Sequence, residues 1–288
     1  MSCAFIGLQN AGIIEGNPAT LVALSPGWFK GGAGLAMLGL LITGILLAFK
    51  VNGALLIGII ITTLIGIPLG ITQYAGGKYV PPAPYFFPLE FSKSIFSLDF
   101  VVVLFTFLFV DMFDTVGTLI GCATKADMIQ KDGSIPNVKE ALFADAVGTT
   151  VGAILGTSTV TTFVESSAGV VEGGRTGLTA LTVAVLFVAS LFLEPLFGSI
   201  PGVATAPALI LVGVFMITPV KDIDWTDMTE AIPAFLTILF MIVAYSIAEG
   251  IMFGVISYVL LKLFGKKGKE IGGMTWVVFA LFVLKIFI

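Results

Sequence analysis

The chain has 288 residues, of which 57% are hydrophobic and only 11% are charged, and its mean hydropathy is +1.09. Soluble domains carry about a quarter charged residues, so this composition excludes an ordinary soluble domain and indicates a membrane protein. The net charge of −4 arises from a few scattered charges, and no basic face suits a nucleic-acid partner. The two cysteines, Cys3 and Cys122, make no disulfide framework.

Apolar runs that can cross about 30 Å of hydrocarbon, at about 1.5 Å per residue, predict membrane-spanning helices. The first residues, MSCAFIGLQNAGII, lack a basic leader and a cleavage site, so we interpret them as the tail of a spanning helix. We expect an all-α polytopic protein with multiple passes through the cell membrane. In chain order the further predicted spans are Gly32–Phe49, Gly53–Gly70, Leu98–Thr124, Ala141–Leu155, Leu178–Phe197, Ala204–Ile217, Ala231–Ile247, Gly250–Phe264 and Thr275–Ile288.

Lysine and arginine predict the orientation, because cytoplasmic loops are enriched in them. Placing Lys125, Lys131 and Lys139 in the cytoplasm puts ten of the fourteen basic residues on that side. This orientation requires Thr157–Gly174 to re-enter from mid-membrane, and it makes the loop Ile71–Ser97 external. The basic residues left outside are Lys30, Lys78, Lys93 and Lys285.

Two short segments resemble each other. VNGALLIG (51–58) and IAEGIMFG (247–254) share an apolar pattern that ends in glycine, each at a junction between two predicted helices. Inverted repeats are a common way to build secondary transporters. An eight-residue match can also arise by chance, so both interpretations stay open at this point.

One predicted span carries acidic residues near its middle. Asp111, Asp114 and Thr118 in FVDMFDTVGTLIGCATK are spaced i, i+3, i+7 and therefore lie on one helix face. An ionisable group at this depth costs a few kcal/mol or more unless it faces a cavity or a partner. Two carboxylates one turn apart also repel, so one is expected to hold a proton near neutral pH, which suits proton coupling. Alternatively, one aspartate caps or pairs with a neighbouring helix.

A second polar stretch, TSTVTTFVESSAGVVEGGR, occupies 157–175. Its hydroxyl-bearing and β-branched side chains favour an extended backbone, which survives at membrane depth only where protein or a water-lined cavity satisfies it. Thr162 and Glu165 fit a T-x-x-E capping box that opens a half-helix over Phe163–Gly173. Its positive end would point towards a polar solute at the membrane centre. Glu165 then serves as a cap, as a ligand residue, or as both.

Other polar and aromatic positions receive simpler interpretations. Asp145 is predicted to be a helix-packing or cap residue near the inner surface, and Glu249 a hinge or cap residue between two helices. Phe113 and Phe163 flank the acidic positions and are candidates to stack on a flat ligand.

Four segments together resemble the AzgA-like adenine/guanine/hypoxanthine permeases of the nucleobase:cation symporter-2 group, which also includes xanthine and uracil permeases. They are FVDMFDTVGTLIG, GTSTVTTFVESSAGVVEGGRTGLTA, ATAPALILVGVFMI and IPAFLTILFMIVAYSIAEGI. The resemblance implies a fold of seven plus seven inverted repeats, split into core and gate domains, with a short extended segment and a half-helix at mid-membrane. On this pattern, 1–97 holds first-repeat gate helices and the external loop, 98–200 the second-repeat core helices with the substrate element, and 201–288 the second-repeat gate helices.

The resemblance also implies proton-coupled uptake of a purine nucleobase, without enzymatic activity, cofactor or metal. It assigns substrate binding to Asp111, Asp114 and Glu165, since carboxylates accept hydrogen bonds from ring N–H and amino groups. Proton coupling is expected at Asp114 and Glu165, and a homodimer through gate helices is a further expectation. The neighbouring residues predicted to complete the substrate site are Thr118, Thr161, Thr162 and Phe163.

The resemblance further implies about four helices upstream of Met1, so we expect an N-terminally truncated carrier, its C-terminal two thirds. One alternative is a non-transporting membrane subunit that needs a separately encoded N-terminal half. Another is an intramembrane aspartyl protease. That chemistry needs two acids facing each other from different helices, whereas Asp111 and Asp114 lie one turn apart on a single helix, so the protease is disfavoured.

Overall fold

The computed structural model describes residues 2–77, 79–81, 83, 85–89, 95, 97–130, 133–217, 220, 221 and 223–287. Lys78, Lys93 and Lys131, which entered the predicted orientation, lie outside the described residues. The structure is mostly helical. Its elements are α1 Ser2–Asn10, β1 Ile14–Asn17, β2 Leu21–Leu24, α2 Gly31–Ala48, α3 Ala54–Gly66, α4 Leu98–Lys125, α5 Val138–Leu155, α6 Ser166–Val171, α7 Gly177–Phe192, α8 Glu194–Phe197, α9 Gly202–Phe215, α10 Met228–Val243, α11 Ile247–Phe264 and α12 Gly273–Phe287.

The predicted spans correspond to the long helices, and one of them is divided. The span predicted at Leu178–Phe197 breaks at Leu193, because Pro195 lies in the first turn of α8 and cannot continue the hydrogen-bond ladder of α7. Among the described residues, α2 and α11 are long and apolar enough to cross a membrane by length and composition, and five further apolar helices are shorter.

The expectation of an all-helical chain is wrong just after α1. Strands β1 and β2 form an antiparallel hairpin in which Ile14 lies opposite Leu24 and Asn17 opposite Leu21. The Asn17 side chain closes the turn by accepting a hydrogen bond from the backbone N–H of Ala19 at 2.8 Å. An asparagine that bonds backbone two residues ahead mimics a turn, so the local chemistry favours a hairpin here over a longer helix.

The helical pair α2–α3 interlocks through glycine and threonine. Thr43 and Thr62 are both about 1% exposed, and each hydroxyl donates at 2.7 Å to a carbonyl four residues earlier, Gly39 and Gly58 respectively. Each threonine lies against a glycine of the opposite helix: Thr43 against Gly58, and Thr62 against Gly39. Small residues at membrane-helix interfaces allow the backbones this close approach.

The pair α10–α11 repeats this contact. Thr237 donates at 2.8 Å to the carbonyl of Pro233, and its hydroxyl lies where a side chain on Gly254 would have to go. Gly58 and Gly254 are the final glycines of the two resembling eight-residue segments. Both segments therefore end in a glycine that packs on a threonine of the preceding helix, which gives the sequence match a shared structural role.

Replacing Gly58 by alanine is expected to destabilise the protein by about 1–3 kcal/mol, the usual cost of overpacking a filled contact. The new methyl group would overlap the Thr43 hydroxyl, which its hydrogen bond to Gly39 holds in place. The measurement is the thermal unfolding midpoint of the purified protein in detergent. Gly44→Ala in α2 is the matched control, because nothing lies within 4 Å of its added methyl group. Equal midpoints for the two variants would contradict the prediction.

Ion pairs connect the N-terminal end of α10 to the C-terminal end of α11. Lys262 is 2% exposed and bridges Glu230 at 2.7 Å and Glu270 at 2.6 Å. Beside them, Lys267 donates to Asp227, the residue that caps α10. This hydrogen bond lowers the pKa of Asp227 below its usual range and raises the pKa of Lys267. The ion pairs thus fix one end of the α10–α11 pair.

Candidate substrate site

The polar stretch between α5 and α6 interrupts the helical structure. The backbone leaves the helix at Gly156, which has a left-handed φ of 79°, and does not return to it until Ser166. The half-helix is therefore Ser166–Val171, six residues long, and shorter than the predicted Phe163–Gly173. Within the part of the chain that the structure describes, no strand pairs with the residues 157–163, which we call the extended segment.

The predicted capping box between Thr162 and Glu165 is wrong. Glu165 itself occupies the N-cap position of α6 with helical dihedral angles, and no side chain caps it. The physical reason lies in tertiary structure. The Asp145 carboxylate of α5 interacts with the backbone of Thr162, and the chain turns only afterwards, where the Ser166 N–H bonds the Phe163 carbonyl.

Two aspartates from different helices hold the extended segment. Asp111 of α4 accepts a hydrogen bond from the Thr159 hydroxyl, with Oδ1 and Oγ1 2.6 Å apart. Asp145 of α5 accepts a hydrogen bond from the hydroxyl of Thr115, whose Oγ1 lies 3.1 Å from Oδ2, and it interacts with the backbone of Thr162. Because Thr115 belongs to α4 and is fully buried, Asp145 links α4, α5 and the extended segment at one point.

Four carboxylates share this region. Asp114 interacts electrostatically with Asp111, Asp145 and Glu165. Asp114 is half-buried, whereas Glu165 is exposed. Carboxylates that face one another repel when all are ionised, so this group favours a ligand that donates hydrogen bonds or a proton.

The N-terminal helix borders the same region. Cys3 of α1 interacts electrostatically with both Asp114 and Glu165, and Cys122 of α4 interacts with Glu165. Helix α1 packs closely on α9, where a side chain on Gly213 would overlap Ala4. The α1–α9 pair therefore forms one side of the acidic region.

The other predicted site residues are dispersed around it. Thr118 is 3% exposed, Thr161 and Thr162 are half-buried, and Phe163 is 60% exposed. Phe113 stacks on Phe282 of α12 with ring centroids 5.8 Å apart. The two predicted stacking residues therefore differ: the Phe113 ring packs against α12, whereas the Phe163 ring is exposed.

Asp145 lies about two turns into α5, too deep to cap the helix, and it accepts the Thr115 hydroxyl of α4, which agrees with the predicted helix-packing role. Sequence reasoning missed two other residues of this region. Thr115 and Thr159 bond the two aspartates, yet neither was singled out. A signal was available for Thr115, which directly follows Asp114.

A broken, hydroxyl-rich element among apolar helices is a construction that membrane transport proteins use for their binding sites. The family model described as "Permease family", that of the xanthine/uracil permeases, matches residues 1–253. The chain belongs to this family, whose members are membrane transport proteins and not enzymes.

Named relatives agree with the family. The chain is 47% identical over 285 residues to a putative permease of Methanocaldococcus jannaschii, covering 98% of this chain and 65% of that protein. It is 44% identical over 296 residues to the guanine/hypoxanthine permease PbuO of Bacillus subtilis, covering 99% and 67% respectively. It is 41% identical over 283 residues to the adenine permease AdeP of Escherichia coli, covering 98% and 63%. The chain thus spans about two thirds of the length of these relatives.

Proposed function

We propose that this chain forms part of a cell-membrane permease that takes up purine nucleobases, adenine, guanine or hypoxanthine, by proton symport. Relatives named as adenine and guanine/hypoxanthine permeases, at 41% and 44% identity over nearly the whole chain, support the substrate class. The permease names also favour transport over a non-transporting membrane subunit.

The acidic region beside the extended segment is the observation that carries the proposal. A purine presents ring N–H donors and, in adenine and guanine, an exocyclic amino group. Within the described part of the chain, no side chain donates a hydrogen bond to Asp114 or Glu165, whereas Asp111 and Asp145 already accept from Thr159 and Thr115. We therefore assign Asp114 and Glu165 to the ligand, and Asp111 and Asp145 to the support of the site.

The same arrangement supports proton coupling. Four neighbouring carboxylates repel one another when all are ionised, and a proton bound to one of them reduces that repulsion. A purine that donates hydrogen bonds to the ionised acids relieves this repulsion only in part. Loading a proton on Asp114 or Glu165 together with the purine completes the neutralisation, which couples the two ligands. Homodimerisation through gate helices and the division into core and gate domains stay predictions of the family resemblance.

Purine binding to the purified chain in lipid nanodiscs tests the proposal. We expect labelled adenine, guanine or hypoxanthine to bind saturably and the pyrimidine cytosine to compete poorly. Proton coupling predicts proton uptake from a weakly buffered solution when the purine is added. Absence of saturable purine binding in the nanodisc-embedded chain would contradict the proposed function.

A further inference from the structure

One face of α5 is shaped to receive the extended segment. Asp145, Gly148, Thr149 and Gly152 are spaced i, i+3, i+4, i+7 and therefore share a helix face. A methyl group on Gly152 would lie 2.7 Å from the Thr157 hydroxyl and 3.3 Å from the Ser158 carbonyl oxygen. The two glycines leave a groove in which the extended segment runs along the helix.

Thr149 makes the polar contacts of this groove. Its Oγ1 lies 2.9 Å from the carbonyl oxygen of Val160 and 3.3 Å from the backbone nitrogen of the same residue. It also lies 3.2 Å from the Thr159 hydroxyl. In a β-sheet the N–H and C=O of an extended residue bond a neighbouring strand. Here the Thr149 hydroxyl hydrogen-bonds both the N–H and the C=O of Val160. The neighbouring element is a helix, whose backbone groups already bond one another and cannot pair with Val160.

The contacts of Thr149 also place Thr159. The Thr149 proton goes to the Val160 carbonyl and the Thr159 proton goes to Asp111 at 2.6 Å, so the 3.2 Å approach of the two hydroxyls is a close contact and not a further full hydrogen bond. Thr149 therefore holds Val160 by its backbone, and this keeps the adjacent Thr159 hydroxyl within reach of the Asp111 carboxylate.

We propose that Thr149 is a positioning residue of the substrate site: it holds Thr159–Val160 in the α5 groove so that the Thr159 hydroxyl is directed at Asp111. This inference rests on the proposed function for its effect on the purine. Without the Thr149 hydroxyl, Val160 loses its partner for two backbone groups, and the adjacent Thr159 loses the anchor that keeps it opposite Asp111. The extended segment then loosens, and the acidic region that it borders loses its geometry.

The neighbouring residue provides a matched control. Thr150 has the same side chain on the same helix, but its hydroxyl donates at 2.8 Å to Ala146 within α5. Thr149→Val and Thr150→Val each remove one hydroxyl and keep a β-branched side chain of nearly equal volume. Thr149→Ser keeps the hydroxyl and is the conservative variant.

The first measurement is hydrogen–deuterium exchange of the peptide covering 157–163, in the purified full chain without ligand. We expect Thr149→Val to accelerate exchange about tenfold or more at this peptide, and Thr150→Val and Thr149→Ser to leave it near the unmodified rate. Unchanged exchange in Thr149→Val would overturn the inference whether or not purines bind.

The second measurement is purine affinity in the same nanodisc preparations. Thr149→Val is expected to weaken adenine or hypoxanthine binding about tenfold, with Thr149→Ser restoring it to within about twofold. If the unmodified chain binds no purine, the proposed function fails and the exchange measurement alone decides the role of Thr149. If the unmodified chain binds purine and Thr149→Val binds it equally well, the positioning role in the site is wrong.

Discussion

Asp114→Asn and Glu165→Gln are each expected to weaken purine binding about 10- to 100-fold. Each substitution keeps the size of the side chain but replaces a carboxyl group with a neutral amide, which can neither carry the negative charge nor load the proton. A hydrogen bond to a charged group contributes about 1.5–3 kcal/mol, and its loss corresponds to that range of affinity. The measurement is equilibrium binding of labelled adenine, guanine and hypoxanthine to the nanodisc-embedded chain.

Glu140→Gln is the matched control for these two variants. Glu140 is also an acidic residue, but it lies exposed in the first turn of α5, away from the extended segment. Its substitution removes one negative charge and should leave purine affinity unchanged. Binding that is unaltered in Asp114→Asn or in Glu165→Gln would remove that residue from the substrate site.

Asp145→Ala is expected to destabilise the protein and to disorder the extended segment. The substitution leaves the buried Thr115 hydroxyl without its acceptor, which costs about 1–3 kcal/mol, and it removes the carboxylate that interacts with the Thr162 backbone. The thermal unfolding midpoint should fall by several degrees, and purine binding should be lost with it. Asp145→Asn keeps one acceptor oxygen and should lie between the unmodified protein and Asp145→Ala.

The control for this prediction is Glu140→Ala on the same helix. An exposed acid in the first helical turn contributes only about 0.3–1 kcal/mol through the helix dipole. If Asp145→Ala unfolds at the same temperature as Glu140→Ala, Asp145 does not hold α4, α5 and the extended segment together.

The helices were predictable because the bilayer restricts what can span it. The thickness of the hydrocarbon layer sets the length of a membrane-spanning helix, and the absence of hydrogen-bonding partners in that layer favours apolar side chains. The apolar run Gly32–Phe49 therefore predicted α2 to within one residue at each end. The break after α5 was predictable for a related reason: hydroxyl-bearing, β-branched residues in 157–163 favour an extended backbone. Both predictions depend on local sequence alone.

The errors arose where tertiary contacts decide the outcome. A T-x-x-E pattern predicts a cap at Thr162, yet the Thr162 backbone interacts with Asp145 of another helix, and the half-helix begins only at Ser166. Thr149 and Thr150 are indistinguishable in the sequence of α5. One hydroxyl bonds its own helix and the other bonds the extended segment, and only the packed structure separates them.

The interlocked glycine–threonine contacts have a mechanical consequence. Sliding α3 along α2 would drive Thr43 into the backbone beside Gly58, and α10 and α11 meet the same obstacle at Thr237 and Gly254. These contacts oppose sliding within each pair, so each pair is expected to move as a rigid unit in the proposed transport cycle. Bending is then expected in the non-helical segments between the helices, above all in the extended segment that follows Gly156.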